Sequence, residues 1–111
     1  MKRTMYYRTK WNDKSPPFLC INANKYHFPT VTVIAVTEWR NAYRPDEILY
    51  KRIDDIMYEQ EKGSFETLAE GIASGVLKFT DWRVTKVTVR VEEDLDFWVE
   101  VVGQRDSPEA C

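Results

Sequence analysis

At 111 residues the chain has room for one domain and no second core. Hydrophobic residues at 43% against 31% charged residues describe an ordinary globular domain, and a formal charge of -2 with no long single-sign block gives no electrostatic case for a nucleic-acid partner. No purely apolar run is longer than the four residues of 33–36, far too short to span a bilayer, and no apolar stretch follows Lys2 and Arg3 to make a secretory signal.

Residues 4–11 read as a first strand, rich in aromatic and β-branched types although Lys and Arg interrupt it. Residues 12–17, with Asn12, Asp13, Ser15 and two prolines, are a loop by turn chemistry. Residues 26–37 form the second strand. Val31, Val33 and Ala35 share one face and Thr32, Ile34 and Val36 the other, so both faces are at least half apolar. Arg44-Pro45-Asp46-Glu47 signals a helix start, with proline in the first turn and two acids at the positive end of the dipole. The helix is expected to run to about Lys62, with Ile48, Leu49, Ile53, Ile56 and Met57 on one side, until Gly63 stops it. Ser64 caps a second helix over residues 65–79, whose stripe is Phe65, Leu68, Ala69, Ile72, Ala73 and Val76. The tight Lys62-Gly63-Ser64 junction makes the two helices packed neighbours. Residues 84–91 alternate Val87, Val89 and Val91 with Lys86, Thr88 and Arg90, and residues 97–102 follow across a short acidic turn as the other arm of a hairpin. The core spans about residues 4–103 and the polar tail 104–111 is expected to fray.

The order is therefore ββααββ, an α+β domain. A helix pair covers one face of a four-stranded antiparallel sheet and leaves the other open. Because the second strand is apolar on both faces, a surface from outside the chain is expected to cover the far one. Two cysteines, Cys20 and Cys111, make neither a disulfide framework nor a metal-ligand spacing, and read as free thiols in a reducing cytosol, which makes the cytoplasm the expected compartment.

Gly63-Ser64-Phe65-Glu66-Thr67-Leu68-Ala69-Glu70-Gly71-Ile72-Ala73 resembles the hallmark helix of dihydroneopterin aldolase, where an acidic residue precedes a Leu-Ala-Glu-x-Ile-Ala run. Tyr50-Lys51-Arg52-Ile53 with Ile56-Met57 is similar to that family's earlier helix, Lys86-Val87-Thr88-Val89-Arg90-Val91 to its third strand, and Trp98-Val99-Glu100-Val101-Val102 to its last. The resemblance covers about residues 26–105. It implies the tunnelling fold (T-fold): a four-stranded antiparallel sheet with two helices on one face, assembling into an oligomeric barrel, as a tetramer or octamer. It further implies a dihydropterin-like small molecule held at a subunit interface and cofactor-independent retro-aldol or epimerase chemistry, without a metal.

Carried onto this sequence, the resemblance makes Glu66 the substrate anchor, a carboxylate taking two N–H bonds from a ring, with backbone contacts from Thr67 and Leu68. Read from the residues alone, Glu66 could equally complement the helix dipole. Tyr50 corresponds to a tyrosine that gives or takes a proton near the reacting side chain, or else packs at the margin of the first helix. Two positions depart from the family. Its catalytic lysine is replaced by Glu92-Glu93-Asp94, with Glu93 nearest by register, and its glutamate ahead of the second strand by Ile21-Asn22-Ala23-Asn24. The acidic turn is either a solvated hairpin or the source of a carboxylate base. His27, the one histidine in the sequence, is either structural or an acid–base group.

These observations lead to a divergent dihydroneopterin-aldolase-like enzyme of lyase, isomerase or cyclase type. Its substrate would be a dihydropterin, or a planar or enolisable intermediate of secondary metabolism. The alternative is a non-catalytic T-fold module for ligand binding or assembly.

Overall fold

The computed structural model describes residues 2–12, 14, 16–21, 24–38, 46–78, 84–94 and 97–104. The main sheet has four antiparallel strands in the order β1-β4-β6-β7: β1 Lys2–Lys10, β4 Thr30–Glu38, β6 Val84–Asp94 and β7 Phe97–Gln104. Two helices, α1 Asp46–Glu59 and α2 Phe65–Leu77, complete the expected order. Between them and the first strands lies a second, three-stranded sheet in the order β3-β2-β5, made of β2 Phe18–Cys20, β3 Lys25–His27 and β5 Lys62–Gly63.

That small sheet corrects the sequence reading in two places. The expected strand over 26–37 breaks at Phe28 and Pro29: its first part pairs with Phe18–Cys20, and only Thr30–Glu38 joins the main sheet. Proline has no N–H to give a ladder, and here its carbonyl accepts from the Trp11 N–H at 2.8 Å, closing the main sheet at that point. The first helix ends at Glu59 rather than near Lys62, because Lys62 and Gly63 leave it to pair in parallel with Leu19 and Cys20. Gly63 has φ +149°, and a Cβ there would meet Thr67 Oγ1 at 2.4 Å, so glycine is required both for the turn and for the helix start behind it. The second helix stops at Leu77. Residues 79 and 80, the sides of the acidic turn at 95 and 96, and the tail from 105 onward, with Cys111, lie outside the described residues. Cys20 is buried in β2 as a free thiol.

Alternation along the strands sets the core. Met5 on β1, Val31, Val33 and Ala35 on β4, and Val87, Val89 and Val91 on β6 all turn to the helices and are buried. They meet the α2 stripe of Phe65, Leu68, Ala69, Ile72, Ala73 and Val76, the same six residues the periodicity selects. The Val, Leu, Ile, Met and Phe side chains among them each contribute about 1.5–3 kcal/mol on leaving water, and the alanines less. The helices run antiparallel in close contact: Gly71 lies against Gln60, and a Cβ on Gly75 would come within 2.6 Å of Ile56 Cδ1.

Among the described residues nothing covers the far face of the main sheet. Register places Tyr6, Ile34, Thr88 and Val102 in one row across all four strands, with Tyr6 58% and Val102 55% exposed. Polar rows flank it, with the Arg90 guanidinium 4.2 Å from the Trp98 ring centre and paired to Glu92 at 3.3 Å.

Candidate functional site

The start of α2 is built from local chemistry. Ser64 and Thr67 form a reciprocal cap: the Thr67 N–H donates to Ser64 Oγ at 3.0 Å, and the Ser64 N–H donates to Thr67 Oγ1 at 2.9 Å. Thr67 Oγ1 also donates to the Ser64 carbonyl at 3.0 Å, and the Leu68 N–H closes the first helical bond to that same carbonyl. The N–H groups of Thr67 and Leu68 are used by the helix itself, and the Leu68 side chain is fully buried, so neither presents a donor outward. Glu66 is exposed, and helix geometry leaves its N–H without an intrahelical acceptor beside its carboxylate.

Two candidates far apart in sequence meet beside that helix start. In the small sheet Phe18 stands opposite His27, both buried, and the His27 ring lies edge-on to Phe65 at 5.4 Å between centres. Phe65 immediately precedes Glu66. The carboxylate of Glu93 contacts His27 Nδ1. Glu93 reaches it because β6 alternates: Val87, Val89 and Val91 face the helices, and Glu93 is the next residue of that parity, at a register irregularity between Glu92 and Asp94. The imidazole is 7% exposed and the Glu93 side chain 36%, so a histidine inside holds a carboxylate that opens to solvent.

Tyr50 is elsewhere. Its ring stacks on Tyr7 of β1 at 4.4 Å and 10°, one helical turn before Asp54. Since Ile56 is level with Gly75, Tyr50 lies beyond the C-terminal end of α2, roughly 20 Å along the helices from Glu66 at 1.5 Å per residue. Within one protomer Tyr50 and Glu66 are therefore not brought together. Sequence reasoning missed what Tyr50 packs against. The Tyr7 hydroxyl donates to both oxygens of Asp54, at 3.0 and 3.1 Å. Burial pushes the Asp54 carboxyl above its ordinary 3.8; the Tyr7 bond pulls it back, Asp55 adds to the rise and Lys51 opposes it. Burial likewise raises Tyr7 above 10.0; a bond with Thr9 lowers it and Asp54 raises it.

A carboxyl whose pKa is higher folded than unfolded binds its proton more tightly in the native state, so its contribution is lost as pH rises past 3.8 and through the raised value. Asp54→Asn keeps an acceptor for Tyr7 and removes the titration. Urea midpoints across the acidic range should show the wild type losing stability relative to Asp54→Asn as pH rises, then a constant gap. Parallel profiles would mean that Asp54 is not desolvated.

No group of three or more His, Cys, Asp or Glu side chains is arranged to hold a metal among the described residues, and no helix there is long and apolar enough to cross a membrane.

No protein-family model matches the chain, and no curated protein does. Among solved structures the chain is similar to a dihydroneopterin aldolase from Burkholderia thailendensis bound to guanine, with TM-score 0.64 and 16% sequence identity over 95% of this chain and 93% of that one. It is also similar to the archaeosine synthase QueF-Like in the apo form, with TM-score 0.51 and 20% identity over 93% of this chain and 91% of that one. Two helices on one face of an antiparallel sheet in ββααββ order, shared with these structures along nearly the whole chain, are the tunnelling fold, and this chain has it.

Proposed function

We propose that the chain is a divergent, cofactor-independent T-fold enzyme of lyase or isomerase type, acting on a flat nitrogen heterocycle held by Glu66. The observation that carries this reading is the contact of Glu93 with His27, 66 positions apart, where the His27 ring lies edge-on to the residue that precedes Glu66. Retro-aldol or epimerising chemistry needs a group that takes a proton from the substrate side chain and a proton that returns to the carbon left behind. Glu93, exposed and aligned by register with the family's missing lysine, is the base in this reading. His27 is a positioning residue: it holds one carboxylate oxygen and leaves the other for substrate. Glu66 accepts from two adjacent ring donors while its own N–H donates to a ring acceptor. The similar aldolase was captured with guanine, a planar heterocycle with such an edge, and a dihydropterin has the same pattern.

A homo-oligomer, tetramer or octamer, belongs to this reading. The row Tyr6, Ile34, Thr88 and Val102 is the apolar surface that assembly would shield, and a neighbouring protomer would supply Tyr50 to a Glu66 that its own Tyr50 cannot reach. That separation is also what favours the second reading, a non-catalytic binding module, should the protomers not assemble.

Calorimetric titration with guanine and with 7,8-dihydroneopterin, with release of the two-carbon aldehyde followed in parallel, tests the proposal. Both should bind, and Glu66→Gln should weaken both by about tenfold or more, since it sets a donor against the ligand's donors and removes a charge-assisted bond. Binding without aldehyde would favour the module. Failure of both ligands to bind, or a monomer in light scattering, would remove the interface site.

A further inference from the structure

On the opposite side of the small sheet lies a cleft of ≈ 490 Å³, bounded by Trp11, Pro16, Pro17, Leu19, Tyr26, Tyr58, Glu61 and Lys62. Its size is that of a small-molecule site. It is separate from the His27–Glu93 pair because strand alternation divides the two. Phe18, His27 and Gly63 turn inward and are buried, whereas Leu19, Tyr26 and Lys62 form one outward row by register, Leu19 opposite both of the others.

The walls are fixed before any ligand arrives. The Trp11 indole N–H donates to the Pro16 carbonyl at 3.0 Å, Tyr58 meets Trp11 edge-on at 5.0 Å, and the Leu19 N–H donates to the Glu61 carbonyl at 3.1 Å. Tyr58 accepts the Asn12 N–H at 2.8 Å, which directs the proton of its hydroxyl to another acceptor. Tyr26 is 62% exposed, a large ring face open to the cleft. Two opposite charges, Glu61 and Lys62, stand next to each other on the rim.

From this set we propose that the cleft binds a small aromatic zwitterion of the α-amino-acid class. Its ring lies against Tyr26 and the two prolines, its ammonium meets Glu61, and its carboxylate takes bonds from the Lys62 ammonium and the Tyr58 hydroxyl. A ligand with one charge would satisfy one rim group and face repulsion from the other; adjacent opposite charges on the ligand satisfy both.

The test uses L-tryptophan, tryptamine and indole-3-propionate in calorimetric titrations of the intact protein. Tryptophan should bind with a Kd on the order of 0.1–1 mM, and each singly charged analogue roughly tenfold more weakly. Glu61→Gln should weaken tryptophan and tryptamine but not the propionate, Lys62→Gln tryptophan and the propionate but not tryptamine, and Tyr26→Ala all three. These side chains are exposed, so the variants keep the fold. Glu66→Gln should leave tryptophan binding unchanged, which keeps this outcome apart from that of the heterocycle site. The proposal is overturned by the absence of saturable binding, by equal affinity for all three compounds, or by binding that depends on Glu66 and not on Tyr26.

Discussion

Leu68→Asp should abolish cooperative folding, while Lys51→Ala should melt with the wild type. Leu68 has no exposed surface and sits in the middle of the α2 stripe, against the valines of β6. The substitution forfeits about 1.5–3 kcal/mol of apolar burial and places a carboxylate where no partner is available, at a further cost of several kcal/mol. A domain of this size has only about 5–15 kcal/mol in total, so most of its stability goes. Lys51 is 79% exposed and pairs with Asp55 at 3.6 Å on the same helix, a contact worth at most about 0.5 kcal/mol. Circular dichroism melts of the two variants beside the wild type decide the matter. A cooperative Leu68→Asp transition near the wild-type temperature would mean that α2 does not pack by this face.

The parts of the fold that were legible in the sequence are those with a long period. The α2 stripe comes out residue for residue, because six apolar positions over thirteen residues fix a helical face. The valine alternation of β6 likewise gives its buried face. The small sheet was not legible. Phe18–Cys20 and Lys25–His27 are three residues each and Lys62–Gly63 two, too short for any period to emerge, and their pairing depends on contacts distant in sequence. The strand expected over 26–37 runs across Pro29 although proline cannot donate to a ladder, so the break does carry a local signal, one outweighed by the β-branched run that follows it.

The candidate site divides in the same way. Capping chemistry placed Ser64 and hence Glu66 at the helix start, but it also consumes the Thr67 and Leu68 amides that the family resemblance would have given to a ligand. His27 and Glu93 could be nominated singly and not as a pair. The parity that continues Val87, Val89 and Val91 to Glu93 was visible; the turn of β3 that brings His27 under it was not, because it follows from the small sheet. Tyr50 carried no local signal of its distance from Glu66. That separation emerges only when Gly71 and Gly75 fix how α1 lies along α2.

The proposed chemistry makes its sharpest demand on Glu93. Its side chain is 36% exposed, so Glu93→Gln should fold normally, yet it replaces a proton acceptor by a group that cannot take the substrate's proton. Turnover of 7,8-dihydroneopterin should fall by about 10²–10⁴-fold, the usual worth of a positioned general base, with little change in KM because the heterocycle is held by Glu66. His27→Asn should also lower kcat at constant KM, by less, since the imidazole orients the carboxylate and does not itself meet the substrate. The two effects should not add: once Glu93 is glutamine there is no base left to orient, so the double variant should be no slower than Glu93→Gln alone. A merely structural His27 would instead lower the melting temperature and leave the kcat of the folded fraction unchanged. Wild-type turnover in Glu93→Gln, or full additivity in the double variant, would take the base out of this carboxylate and leave the His27–Glu93 contact as part of the scaffold.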